Sequence, residues 1–289
     1  MQVYRYWARA DGQSPNNPDY KTAFWAGSDE SEADAQRKAQ HRLDHIDWRA
    51  LEDYEYPRDD YTYQHKPHPE PLLDEVLDDD GTRAAAFTIN RYGATVLNTR
   101  TLAFIDVDLD GEHRPTLADV RAGGMLGKLG KKKRASDDEI IDAITTLALD
   151  WSAQSAARGV RLYQTAAGVR IAIATPALEP AGEEIAALMR EWQADPAYRR
   201  LCHVQQCYRA RVTPKPWRMA SGSRPDRIDY LTYNDGSRLE WLKAYERQRE
   251  DYAVCTIVAE GGQPASGLHG DVLAMHDELC GVGSGKPLA

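Results

Sequence analysis

A chain of 289 residues with 42% hydrophobic content is long enough to bury a sizeable core, as one large domain or two small ones. Its formal charge of −9 excludes a wholesale nucleic-acid coat protein but leaves room for a local basic channel. No apolar run approaches ~18 residues and the start, Met1-Gln2-Val3-Tyr4-Arg5-Tyr6-Trp7, does not read as a signal peptide, so a cytoplasmic chain with no membrane partner is expected.

In chain order, Val3–Ala10 alternates apolar and polar residues and predicts a strand, followed by a Gly/Pro/Asn loop through Tyr20. Asp29-x-x-Glu32 offers a capping box for a helix to about Ile46, with Ala33, Ala39 and Leu43 as its inner stripe. His41 and His45 sit at i, i+4 spacing in this helix, which more often marks a solvated face than a metal site. The proline-rich stretch 53–71 predicts a connector, Leu72–Leu77 a short helical turn, and 84–98 a hairpin about Arg91-Tyr92-Gly93.

From residue 101 the pattern sharpens. An apolar strand over 101–109 ends in alternating carboxylates, Asp106, Asp108 and Asp110, which share one face because strand side chains alternate. Residues i and i+2 lie roughly 6.6 Å apart along a strand, so Asp106 and Asp108 can reach one hard cation or a pair. Ser136-x-x-Glu139 then caps a helix with the stripe Ile140, Ile144, Leu147 and Trp151. Strands over Val160–Thr165 and Val169–Thr175 flank the turn Ala166-Ala167-Gly168. A helix with Ile185, Leu188, Met189 and Trp192 on one face and a strand over Cys207–Val212 follow.

This β-α-β-β-α-β order predicts an α+β fold with an RRM/ferredoxin-like core, both helices on one face of an antiparallel sheet and the other face free for ligands. The division expected is an N-terminal α/β region over 1–98, the core over 99–235 and a C-terminal helix and strand region over 236–289.

Cationic groups accompany the carboxylates. The Gly-rich loop 121–134 carries Lys131 and Lys132; its length and charge suit a phosphate backbone, although it lacks P-loop spacing. Arg209 and Arg211 share a strand face ahead of Pro214-Lys215-Pro216-Trp217, where two guanidinium forks and Lys215 can meet a triphosphate. Arg170 follows Gly168, which lets a backbone approach a phosphate closely. Four cysteines are too sparse for a disulfide framework, and Cys202-His203-x3-Cys207 lacks zinc-knuckle spacing, so buried thiols are expected. With Mg²⁺ or Mn²⁺ on Asp106 and Asp108, the chemistry indicated is nucleotidyl transfer.

Phe104-Ile105-Asp106-Val107-Asp108, the Thr165-x-x-Gly168-x-Arg170 hairpin and Arg209-x-Arg211-x-x-Pro214 together resemble the archaeo-eukaryotic primase (primase-polymerase) superfamily, over roughly residues 95–235. The resemblance implies an RRM-like palm, a divalent metal pair on Asp106 and Asp108, NTP or dNTP substrates and a single-stranded or primer-template nucleic acid. Arg170 stands where that family usually has a phosphate-contacting His. Asp226, Asp229 and Glu240 are the candidates for a third carboxylate.

Two alternatives belong to other classes. A catalytically degenerate RRM-like nucleotide or nucleic-acid binder would stack bases on Phe104, Tyr163 and Tyr208, but has no use for the acidic pair. A haloacid dehalogenase-type phosphatase would use Asp108 and Asp110 of Asp108-Leu109-Asp110-Gly111. The Thr expected next is Glu112, and Asp271 and Asp277 are too widely spaced for the late acidic motif.

Overall fold

The computed structural model of the chain describes residues 1–52, 69–110, 113–122, 135–219 and 236–289. The first strand forms three residues later than expected, as β1 (Tyr6–Gln13), and pairs antiparallel with β2 (Lys21–Ser28), which the sequence reading missed. A two-stranded ribbon buries too little alone. It is covered by α1 (Glu32–Asp44), with Ala10, Ala26 and Ala39 at the contact. The cap of α1 is Ser31, whose hydroxyl accepts from Asp34 N, and not Asp29, which is drawn into an ion pair with Arg83 at 2.9 Å. Ala33 is consequently exposed, and Ala35 takes the inner position beside Ala39.

After α2 (Trp48–Glu52) come β3 (Leu72–Leu77), β4 (Arg83–Ile89) and β5 (Thr95–Thr99). Leu72–Leu77 is a strand and not the expected helical turn. Six residues nucleate a helix poorly, whereas β4 supplies an antiparallel ladder from Leu72↔Thr88 to Leu77↔Arg83. The β4–β5 hairpin forms as read, with Gly93 at φ 82° in its turn.

The remaining elements are β6 (Ala103–Asp108), α3 (Leu117–Ala122), α4 (Asp137–Ala153), β7 (Gly159–Thr165), β8 (Gly168–Thr175), α5 (Glu183–Glu191), α6 (Pro196–Gln205), β9 (Tyr208–Arg211), α7 (Gly236–Arg249), β10 (Cys255–Gly262) and α8 (Gly267–Cys280). The Ser136–Glu139 capping box is present in both directions, and Ile140, Ile144 and Trp151 are buried. The α5 stripe of Ile185, Leu188 and Met189 is buried, as is Trp192. The chain is thus α+β, with three antiparallel sheets and eight α-helices among the described residues.

One four-stranded sheet has the order β10-β7-β8-β6. Both β6 and β7 pair antiparallel with β8 between them, so they run parallel to each other, joined through α4. The last strand departs from the sequence reading. β9 does not join β6; it pairs with β5, from Val96↔Arg211 to Thr99↔Tyr208, completing a second sheet of order β3-β4-β5-β9. The reason is α6, which the sequence reading did not place. Its start takes the edge of β6, with Asp195 N donating to Asp106 O at 3.0 Å and the Tyr198 hydroxyl to Phe104 O at 2.9 Å.

The expected open sheet face is also partly closed. On it α8 packs His276 against Phe104 and Tyr163, with ring centroids 4.9 Å and 5.1 Å apart. Asp106 and Asp108 at the end of β6 remain half-buried on that side. One apolar cluster runs through both four-stranded sheets, α4, α5 and α8. Among the described residues no helix is long and apolar enough to cross a membrane.

Candidate functional site

Alternation along β6 buries Ile105, Val107 and Leu109 and turns Asp106 and Asp108 to the other side, half-buried. The register to β8 sets Asp106 opposite Arg170 and Asp108 opposite Gly168. A Cβ on Gly168 would stand 2.0 Å from Val107 O, so only glycine lets the β7–β8 hairpin close on Asp108. The hairpin is then pinned to the strand end by Leu109 N, which donates to Ala167 O at 2.7 Å.

These carboxylates open into a cleft of 560 Å³. The exit of β9 also lines it, through Arg211, Lys215 and Trp217, as does Tyr92 of the β4–β5 turn. The exit is held rigidly. The Tyr245 hydroxyl of α7 donates to Pro214 O at 2.7 Å and lies 2.8 Å from the Thr213 hydroxyl, and Pro216–Arg218 forms one 3-10 turn. Tyr92 and Trp217 meet edge to face at 5.1 Å, and the Lys215 ammonium sits 5.7 Å from the Trp217 ring.

The electrostatics are those of a crowded cationic wall facing an acidic strand. Burial, then the neighbouring Arg211 and Arg218, push the Lys215 ammonium down to about 8, against the opposing pull of Asp108 and Asp106. Burial and Arg170 bring Arg211 down to about 10. An anion arriving beside these two groups would favour their charged forms and oppose both shifts.

Several expected site residues have other work. Arg170, expected at a phosphate, is 2% exposed and holds Asp106 bidentately, Nε to Oδ1 at 2.8 Å and Nη2 to Oδ2 at 3.2 Å. Arg209, also expected there, lines the cleft, but its guanidinium grips buried Glu70 at 2.7 Å and 2.9 Å. A charge neutralised in a buried pair has little left for a ligand. Lys131, Lys132, Asp226 and Asp229 lie outside the described residues, and Glu240 is exposed on α7. Asp110 points outward, 62% exposed, and pairs with Arg218 at 3.2 Å.

The carboxylate that sequence reasoning missed is Asp195, which lines the same cleft and caps α6 by accepting from Tyr198 N at 2.7 Å. Asp195-Pro196 is a helix-start signature, so the signal for α6 was present; nothing local announced that this cap would face Asp106.

Away from the cleft mouth, Cys255, His276 and Cys280 place one ligand atom each within 4.8 Å of one another. They offer only three ligands, and Arg170 Nη1 stands 3.2 Å from His276 Nε2, so a dication there would meet a buried guanidinium. Cys202 and Cys207 are buried thiols pushed up by burial to about 12 and about 11, which suits structural rather than reactive cysteines. Comparison of the chain with family models, curated proteins and solved structures finds no match.

Proposed function

We propose that this cleft binds a nucleoside triphosphate with Mg²⁺ or Mn²⁺ and transfers the nucleotidyl group, in a primase-polymerase-like reaction that uses a nucleic-acid template. The observation that carries this reading is the convergence of Asp106, Asp108, Arg211 and Lys215 on one 560 Å³ space. A cation-bearing polyphosphate has the complementary charge pattern, with metal toward the carboxylates and phosphate oxygens toward the basic wall. The volume lies within the range of ordinary small-ligand sites. Tyr92 and Trp217 supply aromatic surface for a base at the cleft's end.

In this reading Asp108 is the principal metal ligand, and Asp106 contributes the lone pairs that Arg170 leaves unused. Asp195 is the nearest additional carboxylate wall. Metal coordination would lower the pKa of an attacking hydroxyl and stabilise departing pyrophosphate, while Arg211 and Lys215 neutralise the charge growing on the phosphates. A second reading, nucleotide binding without polymerisation, is favoured by the bidentate hold of Arg170 on Asp106. The phosphatase reading has less support, because it needs Asp110 inside the site.

The test is incorporation of labelled NTPs and dNTPs under Mg²⁺ or Mn²⁺ titration, with and without single-stranded template, in wild type and Asp108→Ala. Template-dependent incorporation abolished by the substitution supports transfer. Metal-dependent nucleotide binding without incorporation selects the second reading, and incorporation unaffected by Asp108→Ala sinks the first.

A further inference from the structure

Behind the cleft a polar chain crosses the apolar interface between α8 and the β10-β7-β8-β6 sheet. It begins at Asp277, which accepts from the Tyr163 hydroxyl at 2.6 Å and from Arg161, both on β7. His276 Nδ1 lies 2.8 Å from Asp277 Oδ1. The other ring nitrogen, Nε2, lies 3.2 Å from Arg170 Nη1, and Arg170 ends on Asp106. The middle of the chain is closed to solvent, with His276 and Tyr163 at 0% exposure and Arg170 at 2%, while Asp277 with Arg161 at one end and Asp106 at the other are partly exposed.

The protons on this chain are determined from both ends. Arg170 can only donate, so His276 Nε2 accepts. Against the upward push of burial, His276, Tyr163 and Arg161 together hold Asp277 below the usual carboxylate range, so it is ionised and Nδ1 carries the ring proton. The remaining titratable neighbours of the ring are the thiols of Cys255 on β10 and Cys280 on α8, the latter 3.5 Å from Nε2. Burial, together with Arg170, also lowers His276 below its ordinary value, consistent with a neutral ring.

A buried polar chain is costly unless every member is satisfied, and packing alone would be served by a leucine at 276. What the chain adds is orientation. Arg170 already has its Nε and Nη2 on Asp106; Nη1 is shared between Arg211 O at 2.8 Å and His276. Fixing that third corner fixes the guanidinium plane, and with it the plane of the Asp106 carboxylate at the cleft. We propose that Asp277 and His276 are positioning residues of the candidate site, acting through Arg170 to set the orientation in which Asp106 meets a divalent cation. This rests on the reading that Asp106 and Asp108 hold such a cation, and it assigns to α8 a role that a packing helix does not have.

The experiment uses the full chain and Mn²⁺ alone as the probe, followed by calorimetric titration and by ¹⁵N spectra of the histidine rings. Wild type is expected to bind Mn²⁺, with His276 protonated on Nδ1 and bare on Nε2. His276→Leu should weaken Mn²⁺ about 10-fold or more, as loss of an outer partner of a metal ligand does. His276→Gln, whose amide oxygen can accept from Arg170, should recover most of the loss at matched thermal stability.

A wild-type ring protonated on Nε2 would overturn the proposal even if the leucine variant did not fold. Mn²⁺ binding that Asp106→Asn abolishes but His276→Leu leaves intact would overturn it while preserving the cation reading. Absence of Mn²⁺ binding in wild type would remove the cation reading and the proposal together. One zinc per chain, lost on His276→Gln, would also overturn it by making His276 a metal ligand with Cys255 and Cys280.

Discussion

Two buried arginines, Arg170 on β8 and Arg209 on β9, each hold both oxygens of a carboxylate, Arg170 through Nε and Nη2 and Arg209 through Nη2 alone, and the difference between the pairs separates site from scaffold. Glu70 is 7% exposed and also accepts from the Thr88 hydroxyl at 2.7 Å, so its oxygens are consumed inside the protein. Asp106 is 33% exposed beside the cleft, with Arg170 behind it. The same chemistry therefore serves two ends. Around Glu70 it ties the segment before β3 to β9; around Asp106 it anchors a carboxylate that still faces a ligand space.

The largest test of this contrast is Glu70→Ala. It strands the Arg209 cation and should cost about 3–5 kcal/mol of stability in urea unfolding, the usual penalty for breaking a buried pair. Mn²⁺ affinity of the folded fraction should stay within about twofold. A loss of stability below ~1 kcal/mol would mean that the pair is not buried as described.

Asp108→Asn should do the reverse. Among the described residues Asp108 has no arginine ion pair to strand, so stability should hold within about 0.5 kcal/mol, while Mn²⁺ affinity should fall ~10-fold or more with the loss of one ligand charge. Retained Mn²⁺ affinity would move the cation elsewhere.

Lys215 sharpens the comparison through pH. With its ammonium at about 8, affinity for inorganic tripolyphosphate should be highest below that pH and fall as pH rises through it. Lys215→Met should be weaker below about pH 8, approach wild type above it, and flatten the profile. Stability carries the opposite sign, because the unfolded lysine keeps its proton up to its ordinary value of 10.5. The unfolded state then binds more protons between about 8 and 10.5, so this group makes the fold more stable as pH rises across that window. A pH profile unchanged by Lys215→Met would put the amine outside the binding site.

The smallest effects should come from Asp110 and Arg218. Their pair is partly exposed at 3.2 Å, and Asp110→Asn should change stability by less than ~1 kcal/mol. It should leave Mn²⁺ and nucleotide binding unaltered. Phosphatase activity in wild type that Asp110→Asn removes would overturn this ranking of the three carboxylates.

Much of this layout was legible in order along the chain. Ser136 and Glu139 signalled the start of α4, the Ile140–Ile144–Trp151 spacing gave its buried face, and the alternation over 102–109 gave Asp106 and Asp108 a common side. Each of these is a local property, set by capping or by the period of helix or strand. Leu72–Leu77 was misread because a short apolar run has no period long enough to distinguish strand from helix, and only β4 beside it decides.

The sequence by itself determined where the carboxylates and cations occur and that Asp106 and Asp108 share one strand face, since pleating follows from covalent geometry. The tertiary structure alone decided which charges remain for a ligand. Arg209 meets Glu70 across 139 residues of chain, and Arg170 meets His276 across 106. The edge of β6 went to α6, and β9 to β5. Such choices depend on which long-range partners exclude water together, and no local pattern encodes that competition.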